Sequence, residues 1–255
     1  MKKFPLTMAM LGVVGMAMTF SAGAVLDDPV CSGLSELLKV STSRVRADEG
    51  LDVAYPESGR TRMIERSREY LDTNGRMESL GSTLGTVTLV SFFYADCSTQ
   101  RKCPAVVQSF QELRDEFMHR GLLGKVQLRL ITLDARNDSP NRLKRFAVDR
   151  GLKLDNNFRI LVPKTGDAPE VYREFGVPVS LNASGVTMHG IHMAVLDSRL
   201  RLAHSFSTVL WKKSRVVEVV EALVREAEAD ATVEAGRLKE LDSGVGTKAL
   251  SLLKE

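Results

Sequence analysis

The sequence predicts an α/β protein in which a mixed central sheet is flanked by helices. Residues 87–94 form a nearly continuous run of apolar, β-branched and aromatic residues, which is typical of a strand buried on both faces. Apolar residues then return at helical spacing. Near the end of the chain, two strand-like segments precede a long helical stretch, which predicts a hairpin beside a final helix.

The central elements alternate between strand and helix. Pro104 suits the first turn of a helix, and Gly121 marks that helix's end. Residues 126–133 predict a second strand. Ser139 and Pro140 are then a typical cap and first residue of a second helix. The predicted buried stripe of the first helix contains four apolar residues, Val106, Phe110, Leu113 and Phe117.

The later elements are predicted as a strand at 158–162, a helical turn at 171–175, hairpin strands at 193–196 and 200–206, and a helix over about 213–229. This last helix is expected to continue toward Leu241 with a break at Gly236. A βαβ crossover followed by a hairpin and a helix is the arrangement of the thioredoxin fold. Sites in open α/β sheets lie beyond the carboxyl ends of the strands, and Cys97 falls at such a place.

The N-terminus has the three-part layout of a secretory signal. Lys2 and Lys3 precede an apolar stretch over residues 6–20, and small residues at 21–24 predict cleavage after Ala24. The alternative is an uncleaved N-terminal anchor, although the apolar stretch is shorter than the ~20 residues that a membrane span needs. Both interpretations place the folded part on the oxidising side of a membrane, as an exported, periplasmic protein.

Three further segments follow this predicted signal peptide of residues 1–24. Residues 25–68 are polar and weakly patterned, and we interpret them as an N-terminal extension. Order is expected to begin near Tyr70, and residues 69–230 form the thioredoxin-like domain. Residues 231–255 are predicted as a C-terminal helical tail.

Composition excludes some partners. A net charge of +3, without a basic run interleaved with aromatic residues, gives no support for nucleic-acid binding. Contact with a membrane is expected only through the possible uncleaved anchor.

The three cysteines, Cys31, Cys97 and Cys103, indicate a site better than a disulfide scaffold, which would carry more of them. Cys97 and Cys103 bracket a loop between strand and helix, where the helix dipole and two neighbouring cations are expected to lower the thiol pKa. A thiolate is both a nucleophile for disulfide exchange and a soft metal ligand, and paired thiolates select Cu(I). A structural disulfide that closes the loop is the alternative.

An ordered set of motifs resembles the Sco/SenC family. Phe92-Phe-Tyr-Ala-Asp-Cys97 with Cys103-Pro104 is similar to the family's copper-site segment, and residues 131–140 are similar to its following strand and helix start. Residues 71–75 resemble its early hairpin. His189 stands where the family has a histidine ligand. The resemblance covers about residues 70–206.

The resemblance implies that Cys97, Cys103 and His189 bind copper, with Asp134 and Asp138 as supporting acids. The family delivers copper to the binuclear copper centre of cytochrome oxidase, or reduces the cysteines of that centre. The family has three residues between its cysteines, whereas this chain has five. The two extra residues either bulge, so that both sulfurs still meet one ion, or move Cys103 out of reach.

The other histidines and one proline have simpler interpretations. His119 is predicted at the surface near a helix end, and His204 as a structural residue in a strand. His192 is an alternative or helper to His189, although strand alternation sends residues of a strand to opposite faces. Pro178 is interpreted as a loop proline well before the next strand.

Three functions remain open. The first is a copper-binding assembly factor, a metallochaperone whose partner is a cuproenzyme subunit or another periplasmic client. The second is a thiol-disulfide oxidoreductase that uses Cys97 and Cys103 as its redox pair. The third is a non-catalytic thioredoxin-fold module with a structural disulfide. A peroxidase is disfavoured, because Tyr94 stands where the peroxiredoxin pattern has Thr.

Overall fold

The computed structural model describes residues 52–97, 102–183, 185–208 and 211–252, with side-chain environments through residue 237. The predicted signal peptide, Cys31 and the rest of residues 1–51 lie outside this part of the chain. No helix in the described ranges is long and apolar enough to cross a membrane.

The described residues form ten strands, which are β1 Asp52–Ala54, β2 Glu69–Asp72, β3 Met77–Ser79, β4 Val87–Phe93, β5 Val126–Thr132, β6 Phe158–Pro163, β7 Val179–Asn182, β8 Gly185–His189, β9 Met193–Leu196 and β10 Leu202–Phe206. The α-helices of the same ranges are α1 Cys103–His119, α2 Pro140–Asp149, α3 Ala168–Glu174 and α4 Lys213–Leu252.

The predicted mixed sheet is confirmed. Eight strands lie in the order β1-β10-β9-β4-β5-β6-β2-β3, and β7 with β8 forms a separate two-stranded sheet. Strand β4 is parallel to β5 and antiparallel to β9. Helix α1 connects the parallel pair β4 and β5, as the βαβ pattern of the sequence predicts.

Strand β4 is buried over its whole length, because helices cover both faces of the sheet. Leu89 and Phe93 join one core cluster, with residues of α1, α2 and α4. Val90 and Phe92, which alternate with them, join a second cluster with residues of α3. The continuous apolar run of the sequence therefore reflects two cores rather than one.

The helix starts also follow the sequence. Ser139 caps α2, since its hydroxyl accepts a hydrogen bond from the backbone N–H of Arg142 at 3.3 Å. Pro104 lies in the first turn of α1, and Gly121 takes a positive φ of 68° just after that helix.

Two elements differ from the sequence prediction. Strand β1 pairs with β10, so the sheet begins at Asp52, upstream of Tyr70. The predicted break at Gly236 is wrong, because α4 continues through this residue to Leu252. A single glycine within a helix costs only about 1 kcal/mol, which its neighbours offset.

Hairpin β7–β8 was not predicted from the sequence. The side chains of β7 are mostly exposed, so no alternation of apolar and polar residues marks it. Pro178 immediately precedes β7 and does not lie well before the next strand, which corrects the sequence interpretation. The turn residues Asn182 and Gly185 were the available signal for this hairpin.

Candidate metal centre

The end of β4 and the start of α1 bring the two cysteines together. The backbone N–H of Cys97 donates to the carbonyl of Tyr94 at 3.1 Å, which turns the chain just after β4. Cys103 is the first residue of α1 and is 1% exposed. Its sulfur accepts a hydrogen bond from the backbone N–H of Tyr94 at 3.2 Å. Both sulfurs therefore lie at the carboxyl end of β4.

His189 reaches the same edge from another part of the chain. It is the last residue of β8 and lies four residues before β9. Strand β9 is antiparallel to β4, with Met193 opposite Ser91, so the residues before Met193 lie at the carboxyl end of β4. The Ser91 hydroxyl donates to the carbonyl of His192 at 2.7 Å and fixes this approach.

The three predicted ligand atoms meet at this edge. His189 Nε2 lies 3.7 Å from Cys97 Sγ and 3.4 Å from Cys103 Sγ. The three atoms all lie within 4.8 Å of one another. Both cysteines are thiols in the structure. The five-residue loop thus does not move Cys103 out of reach.

The His189 ring presents its Nε2 lone pair to the sulfurs. Nδ1 lies 3.2 Å from the carbonyl oxygen of Gly190, and a carbonyl only accepts, so Nδ1 carries the proton. His189 is 8% exposed, and burial lowers its pKa. A neutral imidazole with Nε2 unprotonated is the form that binds a metal.

The expectation of a lowered thiol pKa is wrong for Cys103. Burial raises the pKa of this thiol to about 12, against smaller lowering effects from the Tyr94 N–H and from Lys102. Loss of hydration outweighs the hydrogen bond from the Tyr94 N–H and the neighbouring cation. Metal binding or disulfide formation must therefore displace a proton from Cys103.

Asp138 lies one contact away from the Cys97 loop. Its carboxylate is buried, accepts from the Thr132 hydroxyl and lies 3.0 Å from Arg142 Nη1. Arg142 also pairs with Asp96, the residue before Cys97. Burial raises the pKa of Asp138. Asp138 is therefore connected to the loop of Cys97 through Arg142 and Asp96, and not by a contact with one of the three candidate metal ligands.

Asp134 contacts hairpin β7–β8 at the end of β8 opposite His189. The side-chain amide of Asn137 donates to both oxygens of its carboxylate, at 2.9 and 3.1 Å. The carboxylate lies against Gly185, the first residue of β8. Neither predicted supporting acid belongs to the three-residue group, and their supporting role stays a prediction.

The remaining histidines lie outside that group. His192 is half-buried, and burial lowers its pKa to about 4. His119 is exposed at the end of α1, as predicted. His204 is buried in β10 and contacts Asp52 of β1, which is the structural position that the sequence predicts.

The sequence analysis did not predict the contact at the base of hairpin β7–β8, where Pro178 precedes β7 and Gly190 follows β8. Gly190 donates its N–H to the carbonyl of Pro178 at 2.8 Å. A Cβ at position 190 would lie 2.5 Å from Pro178 Cγ, so only glycine permits this approach. Pro178 therefore packs directly beside the residue that follows His189.

Comparison with known proteins gives a consistent result. The SCO1/SenC family model matches residues 57–225, which is more than half of the chain. The SCO1 protein homolog of Bacillus subtilis (strain 168) is 29% identical over 87 residues, or 34% of this chain. The match spans 43% of that relative, less than half of its length.

Two solved structures share the fold. A SCO1/SenC family lipoprotein from Bacillus anthracis str. Ames superposes with a TM-score of 0.55 at 18% identity, over 64% of this chain and 96% of that one. BsSco, a member of the Sco family of cytochrome c oxidase assembly proteins with a disulfide switch, gives 0.52 at 17% identity, over 64% and 98%. These likenesses confirm the predicted thioredoxin-like fold.

Proposed function

Since the chain belongs to the SCO1/SenC family, we propose that it is an exported copper-binding assembly factor, whose ligands are Cys97 Sγ, Cys103 Sγ and His189 Nε2. One observation carries the proposal, which is the approach of these three atoms to within 4.8 Å of one another. They come from two distant parts of the chain, and the fold gathers them at one sheet edge.

The donor set suits copper. Two thiolate sulfurs are soft ligands that favour Cu(I). The added imidazole nitrogen allows the same site to bind Cu(II) as well. The Nδ1–H of His189 is held by the Gly190 carbonyl, which orients the ring toward the sulfurs. The residues present therefore fit a copper ion that is carried as cargo.

Delivery to a client completes the proposal. The half-buried Cys97 gives the site an opening to solvent, whereas Cys103 is closed off. The expected client is a cuproenzyme such as cytochrome oxidase, in line with the description of BsSco as a cytochrome c oxidase assembly protein. The predicted signal peptide supports a periplasmic location.

Anaerobic copper binding by the reduced full chain tests this function. We expect one copper ion per chain, with thiolate and imidazole ligation seen by absorption and EPR. Cys97→Ser, Cys103→Ser and His189→Ala each remove one ligand and are expected to weaken binding at least about tenfold.

His192→Ala and His119→Ala are the matched controls, because neither side chain belongs to the three-residue group. Both should bind copper as the parent does. A parent chain that binds no copper, or a His192→Ala variant as weak as His189→Ala, would contradict the proposed ligand set.

Thiol-disulfide exchange is the second candidate, favoured by the presence of both cysteines as thiols beside one another. The Cys97 thiolate would attack a client disulfide and release one client thiolate. Cys103 would then attack Cys97 Sγ in the mixed disulfide and release the second. The client gains two electrons, and the chain is left with a Cys97–Cys103 disulfide.

His189→Ala separates the two candidates, because disulfide exchange needs no imidazole. The copper function predicts lost affinity in this variant, whereas the oxidoreductase function predicts unchanged exchange with a model disulfide. If the parent chain shows neither copper binding nor disulfide exchange, the remaining candidate is the non-catalytic thioredoxin-fold module.

A further inference from the structure

Hairpin β7–β8 carries His189 but, within the described residues, shares no ladder with the eight-stranded sheet. The distance between His189 and the thiols is therefore not set by strand pairing of β8 with that sheet. It depends instead on the connection to β9, on the packing of Val179 and Val186 against the second core cluster, and on the contacts that hold the two ends of the hairpin. The base is held by Gly190 against Pro178, beside His189 itself.

The turn end is held by the segment that follows β5. Arg136 Nη2 donates to the carbonyl of Asn182 in β7 at 3.1 Å. On the opposite strand, Gly185 lies so close to Asp134 that a Cβ would stand 2.8 Å from its Oδ2. The Asp134 carboxylate is itself fixed by Asn137, so it has little freedom to withdraw.

We propose that Arg136, Asp134 and Gly185 are positioning residues, which set the separation of His189 from Cys97 and Cys103 through hairpin β7–β8. The inference deepens the proposed function and rests on it for its copper readout. None of the three touches a ligand atom in this arrangement, so their effect passes through the hairpin.

The expected displacement is small but sufficient. An ordinary contact begins near 3.4 Å, so an alanine at position 185 must move by about 0.6 Å from Asp134. Gly185 also has a φ of +125°, a conformation that alanine rarely adopts. Strand β8 runs directly from this residue to His189 and transmits the shift toward Nε2, which lies 3.4 Å from Cys103 Sγ.

Gly185→Ala in the copper-loaded full chain is the first test. We expect Cu(II) affinity to fall about tenfold, as it does when residues that orient a metal ligand are changed. The nitrogen hyperfine signal of the imidazole should weaken in EPR. Cu(I) affinity should change less than about threefold, because both thiols remain in place. Combining Gly185→Ala with His189→Ala should add nothing to His189→Ala alone.

Gly75→Ala is the matched control for backbone strain. Gly75 also has a positive φ, of 74°, but a Cβ there would meet nothing within 4 Å. It lies in the turn between β2 and β3. This variant should lose stability as Gly185→Ala does, yet keep the parent's copper spectrum.

Arg136→Ala tests the other contact without adding bulk. It should weaken the imidazole signal, and Arg136→Lys should restore part of it by donating to the same carbonyl. An unchanged copper spectrum in both Gly185→Ala and Arg136→Ala would overturn the inference while leaving the copper site in place.

A metal-free readout separates the two proposals. The imidazole nitrogen shifts of His189, measured by long-range proton–nitrogen NMR, should move in Gly185→Ala and stay unchanged in Gly75→Ala. A parent that binds no copper would contradict the proposed function alone. Unchanged His189 shifts in Gly185→Ala would overturn the positioning role, whether or not copper binds.

Discussion

At the scale of single residues, the two thiols of the site have unequal environments. Cys97 is half-buried in the loop after β4, whereas Cys103 is 1% exposed at the start of α1. Burial also raises the pKa of Cys103 to about 12, so it is protonated at neutral pH. The half-buried Cys97 thiol is therefore the one that reagents and clients meet first.

Alkylation of the folded chain should follow this inequality. We expect iodoacetamide at pH 8 to label Cys97 and leave Cys103 largely unmodified. Labelling of Cys103 should rise with pH toward about 12, because its thiolate fraction rises. Peptide mapping by mass spectrometry measures both sites.

The control is the same reaction in guanidinium chloride, where the two cysteines should react at similar rates. Faster native labelling of Cys103 than of Cys97 would contradict the assigned environments.

The candidate ligands could be predicted at this scale, whereas their environments could not. The family resemblance identified Cys97, Cys103 and His189, because it depends on residue type and order along the chain. The pKa of Cys103 depends on how deeply α1 packs against β4, which no local pattern reports. The same holds for the contact between Asp134 and Gly185, since it joins loops distant in sequence.

At the scale of elements, a buried ion cluster connects helix α4 to the sheet. Asp197, at the end of β9, lies 2.8 Å from Arg201 Nε and 3.4 Å from Arg60 Nη1. Its other oxygen accepts the backbone N–H groups of Arg199 and Arg201. Arg60 also pairs with Glu226 of α4. The Asp197 carboxylate therefore joins the turn after β9 to Arg60 of the N-terminal segment, and Arg60 in turn joins helix α4.

Asp197→Ala should lower the free energy of unfolding by about 2 kcal/mol, because two backbone N–H groups lose their acceptor and Arg60 is left with Glu226 alone of its two carboxylate partners. Urea denaturation measures the change. Arg199→Ala is the comparison, since its pair with Asp230 is exposed and should cost less than about 1 kcal/mol. If both variants lose the same free energy of unfolding, burial of the ion cluster does not contribute to its stabilising effect.

Helices and strands could be predicted where their burial produces a recognisable pattern of apolar residues in the sequence. Strand β4 was found because both of its faces are buried, and α2 because its cap and proline follow a known rule. Hairpin β7–β8 and strand β1 were missed because they are short and only partly buried. Their pairing is set by distant contacts, not by their own composition.

At the scale of the whole molecule, the candidate site exists only when the sheet is assembled. Its thiols follow β4, its imidazole precedes β9, and its supporting contacts follow β5. A ligand that needs all three segments binds the folded chain in preference to the unfolded chain, and so stabilises it.

Copper should therefore raise the stability of the reduced chain. At a free concentration 100 times the Kd we expect a gain of up to about 2.7 kcal/mol, diminished by binding to unfolded thiols. Denaturation with and without copper measures it. The double variant Cys97→Ser with Cys103→Ser should show no gain, and a gain equal to the parent's would place copper elsewhere.

The loop between the cysteines has a consequence for tracing related chains. One sulfur is fixed by the end of β4 and the other by the start of α1, so these two elements set the positions of both sulfurs. Lengthening the loop between them from three to five residues costs roughly 0.5 kcal/mol in chain entropy. The number of residues between the cysteines can then change at little cost in the free energy of folding. In this chain the ends of β4 and α1 and hairpin β7–β8, not the cysteine spacing, bring the three ligand atoms together.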